Sequence, residues 1–564
     1  MKTFGKILLG SAAALVIGLV ASRDYIKLHA PGWLAGETAP NRPVAWNQGP
    51  ATAPQGQRPP NIILIMADDL GYNDISLTGT GAGGVATPNI DAIGTGGVTF
   101  TNGYAGNATC APSRAALMTG RYATRFGYEF TPTDTKVPGW FPTGLFRPDA
   151  MFARNVAHTQ TDWEHKPILD EAAAANAAPP GAKGVPASEI TIPEQLKTRG
   201  YHNIHLGKWH LGEAKGMRPE DQGFDESLGF IIGAQMYLPE NDPNIVNSKQ
   251  DFDPIDKFLW ANLPYSVQFN GLPRFAPNRY MTDYLTDQAV AGIKANRNRP
   301  FFMYLAYNAP HTPLQALKSD YDALPQIKDH RLRVYAAMIR ALDRGVGRVM
   351  AELKAQGLDD NTLVIFSSDN GGAHYIGLPE INRPYRGWKA TFYEGGTHVP
   401  FLMRWPGQIA PGSRFDPMIS HFDIFATAAA AGGAALPTDR PIDGVDVLPF
   451  VKATANATAT GVPHQALFWR SGKYRVVRDG DWKLQSLDLP RQELLFDLKA
   501  DPTERTDVAA ANPAVVATLL ARLKAHDATQ QRAAWESLVR APIAIDRPLG
   551  TKPVKGETYI YWAN

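Results

Sequence analysis

An α/β fold is predicted for this 564-residue chain: a large domain with a mostly parallel central sheet flanked by helices, and a smaller C-terminal domain with an antiparallel sheet. Three observations predict it. Short, largely apolar runs recur at Asn61–Met66, His202–Leu206, Phe301–Tyr307, Thr362–Ser367 and Val399–Met403, as strands covered on both faces require. Helix-like segments lie between some of them; Arg331–Leu353 carries Tyr335, Met338, Leu342, Val346 and Met350 at spacings of three and four. After about Lys452 the pattern changes to short segments at Ala466–Arg470, Lys473–Arg478, Trp482–Ser486 and Leu494–Leu498, then a helix over Pro513–His526.

In chain order, Lys2 and Lys6 precede an apolar run, Ile7 to Ala21, closed by Ser22 and Arg23. Residues 1–22 read as a signal peptide or, since no clean A-x-A site closes the run, as an uncleaved N-terminal membrane anchor. Either implies an exported protein, periplasmic, secreted or membrane-anchored. Residues 23–59, with Pro31, Pro40, Pro43, Pro50, Pro54 and Pro59, read as an arm or linker. Residues 60–455 form the large α/β domain. Its Ala-rich run at Ala426–Ala435 is too short to span a membrane and reads as a packed helix ending near Gly432 and Gly433. Residues 456–564 form the small C-terminal domain and a tail with an aromatic end, Tyr559, Tyr561 and Trp562.

Apolar residues make up 44% of the chain and charged residues 20%, the balance of a folding sequence. Fifty-six basic residues against 54 acidic give a net charge of +2, so nucleic acid is not expected as a partner. One cysteine excludes an internal disulfide and a Cys-rich metal site.

Polar residues gather where strands end. Asp68 and Asp69 follow the first strand, and Asp369 and Asn370 follow Leu363–Phe366. Ligand sites of open α/β sheets lie outside the carboxyl ends of strands. Oxygen donors from these four would suit Ca²⁺ or Mg²⁺ better than zinc, although aspartates also serve turns and helix caps. Lys208, Lys389 and Arg114 are candidate donors to a tetrahedral oxyanion, and His210 and His311 follow strands of their own. Each of these also has an ordinary reading, as a solvated cation or a structural histidine.

The segment Cys110-Ala111-Pro112-Ser113-Arg114, closing with Thr119-Gly120-Arg121, resembles the signature of the sulfatases. Read without it, Cys110 is a buried small hydrophobe or a thiolate nucleophile. The resemblance implies instead that a formylglycine-generating enzyme converts Cys110 to formylglycine, whose hydrate attacks sulfur. The second hydroxyl of that hydrate then loses its proton and sulfate leaves by elimination. The likeness extends over roughly residues 60 to 510, through Gly207-Lys208-Trp209-His210-Leu211-Gly212, Ala309-Pro310-His311-Thr312-Pro313, Asp369-Asn370-Gly371-Gly372 and Arg386-Gly387-Trp388-Lys389. It implies a metal set of Asp68, Asp69, Cys110, Asp369 and Asn370 holding Ca²⁺ ahead of Mg²⁺. It implies Lys208, His311 and Lys389 on the sulfate, His210 on the formylglycine hydroxyl, and Arg114 positioning the formylglycine. Near the C-terminal end, Arg478-Asp479-Gly480-Asp481-Trp482-Lys483 and Leu495-Phe496-Asp497 resemble the family's small domain.

Two departures stand out. His398 replaces the arginine usual in Gly395-Gly396-Thr397-His398-Val399-Pro400, which implies an altered surface contact or local charge. The stretch from Tyr128 to Ala187, with Trp140, Phe141, Phe146 and Trp163, is either a wall of the substrate pocket or an external excursion. A pocket wall favours an aryl or hydrophobic alkyl ester slightly over a carbohydrate, so the substrate class stays a small-molecule or saccharide sulfate ester. Three rivals are a formylglycine-dependent phosphonate monoester or phosphodiester hydrolase, a non-catalytic protein of the same fold, and a phosphomonoesterase using another metal; the oxygen-only ligands count against zinc.

Overall fold

The computed structural model describes residues 36–53, 56, 58–132, 165–170, 172–173, 182–452 and 461–564, together with residues 25, 28, 29, 32 and 33. The signal or anchor segment 1–22 and the aromatic residues Trp140, Phe141, Phe146 and Trp163 lie outside these described residues. Among the described helices, none is long and apolar enough to cross a membrane.

Nine strands make the central sheet. They are β1 (Asn61–Ala67), β2 (Val98–Phe100), β3 (His202–Lys208), β4 (Glu226–Phe230), β5 (Gln268–Phe269), β6 (Phe301–Ala306), β7 (Thr362–Ser368), β8 (Phe401–Arg404) and β9 (Ser413–Phe415). Their spatial order is β9-β2-β8-β7-β1-β6-β3-β4-β5. The centre, β7-β1-β6-β3-β4, is parallel throughout. Alternation within β1 explains its unbroken apolar run. Ile63, Ile65 and Ala67 enter one core, while Ile62, Leu64 and Met66 enter another on the opposite face.

Helices cover both faces. The described helices of eight or more residues are α1 (Pro88–Thr95), α2 (Cys110–Thr119), α3 (Pro254–Asn262), α4 (Met281–Asn296), α5 (His330–Ala355), α6 (Asp423–Gly432) and α7 (Pro513–Asp527), the last packed on the C-terminal sheet. The apolar stripe of α5 (Tyr335, Met338, Leu342, Val346) joins the first core with α1 and α4. The second core takes Ala111, Ala115 and Leu117 of α2 and Ile424 and Phe425 of α6. As expected, α6 stops at Gly432, and Gly433 takes the left-handed conformation that closes it.

The sheet departs from parallel at its flanks. β8 starts at Phe401, two residues later than expected, and runs antiparallel to β7. Between β7 and β8 the chain makes only the short turns His374–Ile376 and Glu394–Thr397. Without a long crossover helix, a returning strand pairs antiparallel. β5 is likewise antiparallel to β4.

Towards the C-terminal end, β10 (Ala466–Ser471), β11 (Tyr474–Asp479), β12 (Trp482–Asp488) and β13 (Arg491–Asp497) form the expected antiparallel meander. Leu519 and Leu523 of α7 pack against its Val477, Leu484 and Leu495. The stretch read as a tail is ordered into two more strands, β14 (Val539–Ala544) and β15 (Tyr559–Ala563). They pair with each other, and β14 also pairs with Ile168–Leu169. Pro542 hides β14 from sequence, because proline lacks a ladder donor; here it sits inside the strand, opposite Tyr561. The Pro-rich arm is a surface layer along α4. Trp46 is buried there and donates to Gln288, and Gly49 donates to the Ala295 carbonyl.

Candidate active site

The register of β1 and β7 builds the centre of the site. Ala67 pairs with Ser368, so the next residues, Asp68-Asp69 and Asp369-Asn370, emerge side by side at two carboxyl ends. β6 and β3 lie next in the sheet and deliver His311 and Lys208 to the same edge. Gly207 permits this convergence: a Cβ there would stand 1.9 Å from the Ala306 carbonyl oxygen. Asp69 and His210 both adopt positive φ, 62° and 61°, which turns their side chains out of the extended chain path.

All ten residues singled out in the sequence meet in one buried cluster. Lys208 donates to both carboxylate oxygens of Asp68 at 2.8 Å. Lys389 lies 2.8 and 2.9 Å from the two oxygens of Asp69. Asn370 donates to Asp69 at 2.8 Å, and its own Oδ1 is buried with no partner among the described residues. Arg114 is wholly buried. Its Nε donates to Asp369 Oδ2 at 2.8 Å, and its Nη1 donates to the Lys208 carbonyl and the Tyr304 hydroxyl. Arg114 therefore orders the carboxylates from behind. Cys110, at the start of α2, has its sulfur 3.8 Å from Asp69 Oδ1.

Electrostatics assigns protonation states. Burial, the largest influence on Asp68, works to raise its carboxyl, while Lys208 and Arg114 pull it down. Burial also works to raise Asp69, yet Lys389 and Lys208 hold it below the usual carboxylate range. Burial opposes the charge on Lys389, but Asp69 outweighs it and keeps the ammonium protonated. His311 is driven down to about 3, mainly by burial, and is neutral. Its Nδ1 donates to the Thr312 carbonyl at 2.6 Å, so its Nε2 lone pair faces Lys389 Nζ at 3.4 Å. His210 is also held neutral by burial and the nearby cations, and its buried Nδ1 has no partner among the described residues. Gly233 leaves room for that ring; a Cβ there would lie 2.8 Å from His210 Cε1.

Donor atoms of Asp68, Asp69, Cys110 and His311 lie within 4.8 Å of one another. Three converging carboxylates and the unpartnered Asn370 oxygen are hard donors, a set that fits an octahedral or larger oxygen shell such as Ca²⁺ takes. Asp369 contributes one oxygen freely, because Oδ2 is held by Arg114 while Oδ1 accepts only the Asp69 amide, at 3.2 Å.

Sequence reasoning missed three participants. Tyr375 donates to Asp69 Oδ2 at 3.0 Å and accepts from Lys389 at 3.1 Å. Tyr304 accepts from Arg114. His421 is buried between Ser113 Oγ (3.1 Å) and Ser367 Oγ (3.0 Å). Ser367 donates onward to the Pro400 carbonyl, so His421 Nε2 donates to Ser367 and Ser113 donates to Nδ1. The ring thus ties α2 to β7. Nothing local marks these side chains; only the fold brings them to the site. His398 is corrected from a surface contact to a buried one, bonding to Glu394 at 2.9 Å and to the Thr101 carbonyl at 2.7 Å.

A cavity of about 640 Å³ opens onto Cys110, His210, His311 and Lys389. Its size is that of a small-molecule site.

Comparison with known proteins gives one consistent result. The family model "Sulfatase" matches residues 60–434, and "N-sulphoglucosamine sulphohydrolase, C-terminal" matches residues 386–532. N-acetylgalactosamine-6-sulfatase of Mus musculus is 33% identical over 414 residues, 71% of this chain and 67% of that one. Arylsulfatase A of Homo sapiens is 31% identical over 513 residues, 82% of this chain and 86% of that one. The solved structure of Ps i-CgsB in complex with k-i-k-neocarrahexaose superposes with a TM-score of 0.67 at 31% identity, covering 85% of this chain and 95% of that one.

Proposed function

The chain belongs to the sulfatase family and is a sulfuric ester hydrolase, and we propose that it acts through an oxygen nucleophile formed from Cys110. The observation that carries this reading is the setting of Cys110. It faces the cavity beside Asp69, yet burial pushes its thiol up to about 12. A thiol so placed is a poor thiolate nucleophile. Conversion to formylglycine by a generating enzyme removes that difficulty. When present, formylglycine at position 110 supplies a geminal-diol oxygen, and Ca²⁺, or less favourably Mg²⁺, supplies fixed positive charge for the sulfate oxygens. Asp68, Asp69, Asp369 and Asn370 would hold that cation.

The remaining roles follow from the protonation states. Neutral His210, with a free ring nitrogen, is placed to accept a hydroxyl proton from residue 110. Lys389 carries its proton near neutral pH and donates a hydrogen bond to the departing ester oxygen. His311 accepts from Lys389 and so aims it. Lys208 balances Asp68 and, with Arg114 behind Asp369, keeps the carboxylates in place before substrate arrives. The substrate is a small-molecule or saccharide sulfate ester; sulfated sugars are named for several relatives. Export through residues 1–22 belongs to the same proposal.

The test is mass spectrometry of the Cys110 peptide after coexpression with a formylglycine-generating enzyme, paired with rates on an aryl sulfate and a phosphonate monoester. The thiol should be replaced by the aldehyde or its hydrate, and the sulfate should turn over faster. Full sulfate-ester hydrolysis by protein that retains the thiol would overturn the assignment.

A further inference from the structure

Beyond Cys110, His210, His311 and Lys389, much of the cavity wall is apolar. Ile231 and Ile232 follow β4, and Ile255 and Leu259 belong to α3. β14 adds Val539, Ala541 and Ile543, alternate residues that share one strand face, while Trp562 comes from β15 opposite Ala541.

Polar groups share that wall, Glu37, Glu213, Gln268 and Asn564 among them, and several are engaged within the protein. Asp253 caps α3 by accepting from the Ile255 and Asp256 amides. Asn262 donates to the Leu28 and Phe258 carbonyls and accepts from Gly32. Arg218 donates to the Glu213 carbonyl, and Arg274 donates to the Gly36 carbonyl. Gln235 donates to the Ser266 carbonyl, which leaves its buried Oε1 as an unpartnered acceptor.

We propose that this chamber seats the alcohol side of the substrate, and that the substrate is a bulky, ring-containing apolar organosulfate and not a sulfated sugar. The inference rests on the sulfatase reading above, which puts the sulfate at Cys110. A desolvated sugar brings several hydroxyls, and each one left unpaired weakens binding. An apolar ring system gains from the same surface in proportion to the area it buries. Gln235 Oε1 is placed to accept from one hydroxyl on such a ring.

Two esters with aliphatic leaving groups make the comparison fair: decahydronaphthyl sulfate and N-acetylgalactosamine 6-sulfate. With 4-nitrophenyl sulfate as the report on chemistry, kcat/KM for the decahydronaphthyl ester should exceed that for the sugar by at least about tenfold. Trp562→Ala should shrink that ratio by about tenfold. Calorimetry on the unmodified thiol form, which needs no turnover, should give the same order of affinity. Loss of 4-nitrophenyl sulfate hydrolysis alone would strike the sulfatase reading, and the calorimetric order would still decide the chamber. Equal or tighter binding of the sugar, or its faster turnover, would overturn the inference.

Discussion

Lys483→Met probes the junction between the C-terminal meander and the loop that carries Lys389. The Lys483 ammonium is fully buried, 2.7 Å from Glu394 and 3.0 Å from Glu504. At an effective dielectric near 20, each contact amounts to about 6 kcal/mol of Coulomb attraction, largely offset by the desolvation of three charges. Removing only the cation forfeits the attraction and leaves two carboxylates facing each other. Glu394 keeps the Tyr104 hydroxyl at 2.7 Å, and Glu504 keeps the Glu394 amide at 2.6 Å. The expected loss is therefore about 3–5 kcal/mol, the usual cost of breaking a buried pair. It should depend on pH. Burial already raises Glu504 to about 7, against the pull of Lys483, and losing the lysine raises it further. An acid whose folded value exceeds its unfolded one stabilises the fold below the unfolded value and loses that contribution as pH rises through the folded one. Urea unfolding followed by tryptophan fluorescence should thus show a larger loss at pH 8 than at pH 6. Glu504→Gln in the Lys483→Met background should recover about 2 kcal/mol by removing one stranded charge. A loss under about 1 kcal/mol at both pH values, or no recovery in the double variant, would refute this account of the junction.

Three further outcomes are expected. Arg114→Lys keeps the charge but loses the fork on Asp369 and the bonds to Tyr304 and Lys208, so kcat should fall by about a hundredfold; near wild-type kcat would remove Arg114 from the ordering role. Leucine in place of His421 strands the buried Ser113 hydroxyl and takes a donor from Ser367, which keeps its bond to Pro400, and chemical denaturation should register about 1–3 kcal/mol. Asp74, raised to about 8 by burial despite bonds from Tyr335 and Gly71, should make the wild type less stable as pH climbs from about 4 to 8. Melting of Asp74→Asn beside the wild type over that range checks the sign: the difference should move in favour of the variant as pH rises.

Much of the fold was readable because its signals are local and periodic. The unbroken apolar run of β1 and the three-four stripe of α5 each announce their element. The Asp68 and Asp369 pairs were readable because both follow strand ends, and the sulfatase likeness joined them to Cys110. What escaped depends on distance in the chain. β8 turns antiparallel because the intervening residues form no crossover, a fact about the whole segment from 369 to 400. β14 was obscured by Pro542. Tyr375, Tyr304 and His421 reach the site only through packing, and no spacing rule flags a tyrosine that will meet an aspartate more than three hundred residues away.

The β14–β15 pair gives the molecule a separable anatomy. Asp68, Lys208 and Asp369 sit at or just past strand ends and Cys110 at the start of α2, fixed by register and burial. One wall of the cavity comes from a ribbon far downstream, anchored by Ile168–Leu169 and its own ladder. Substitutions at Ala541, Ile543 or Trp562 can therefore reshape selectivity while the sulfate-handling end keeps its geometry. A natural lineage can drift between substrates along that ribbon, and a protein engineer can graft a different one.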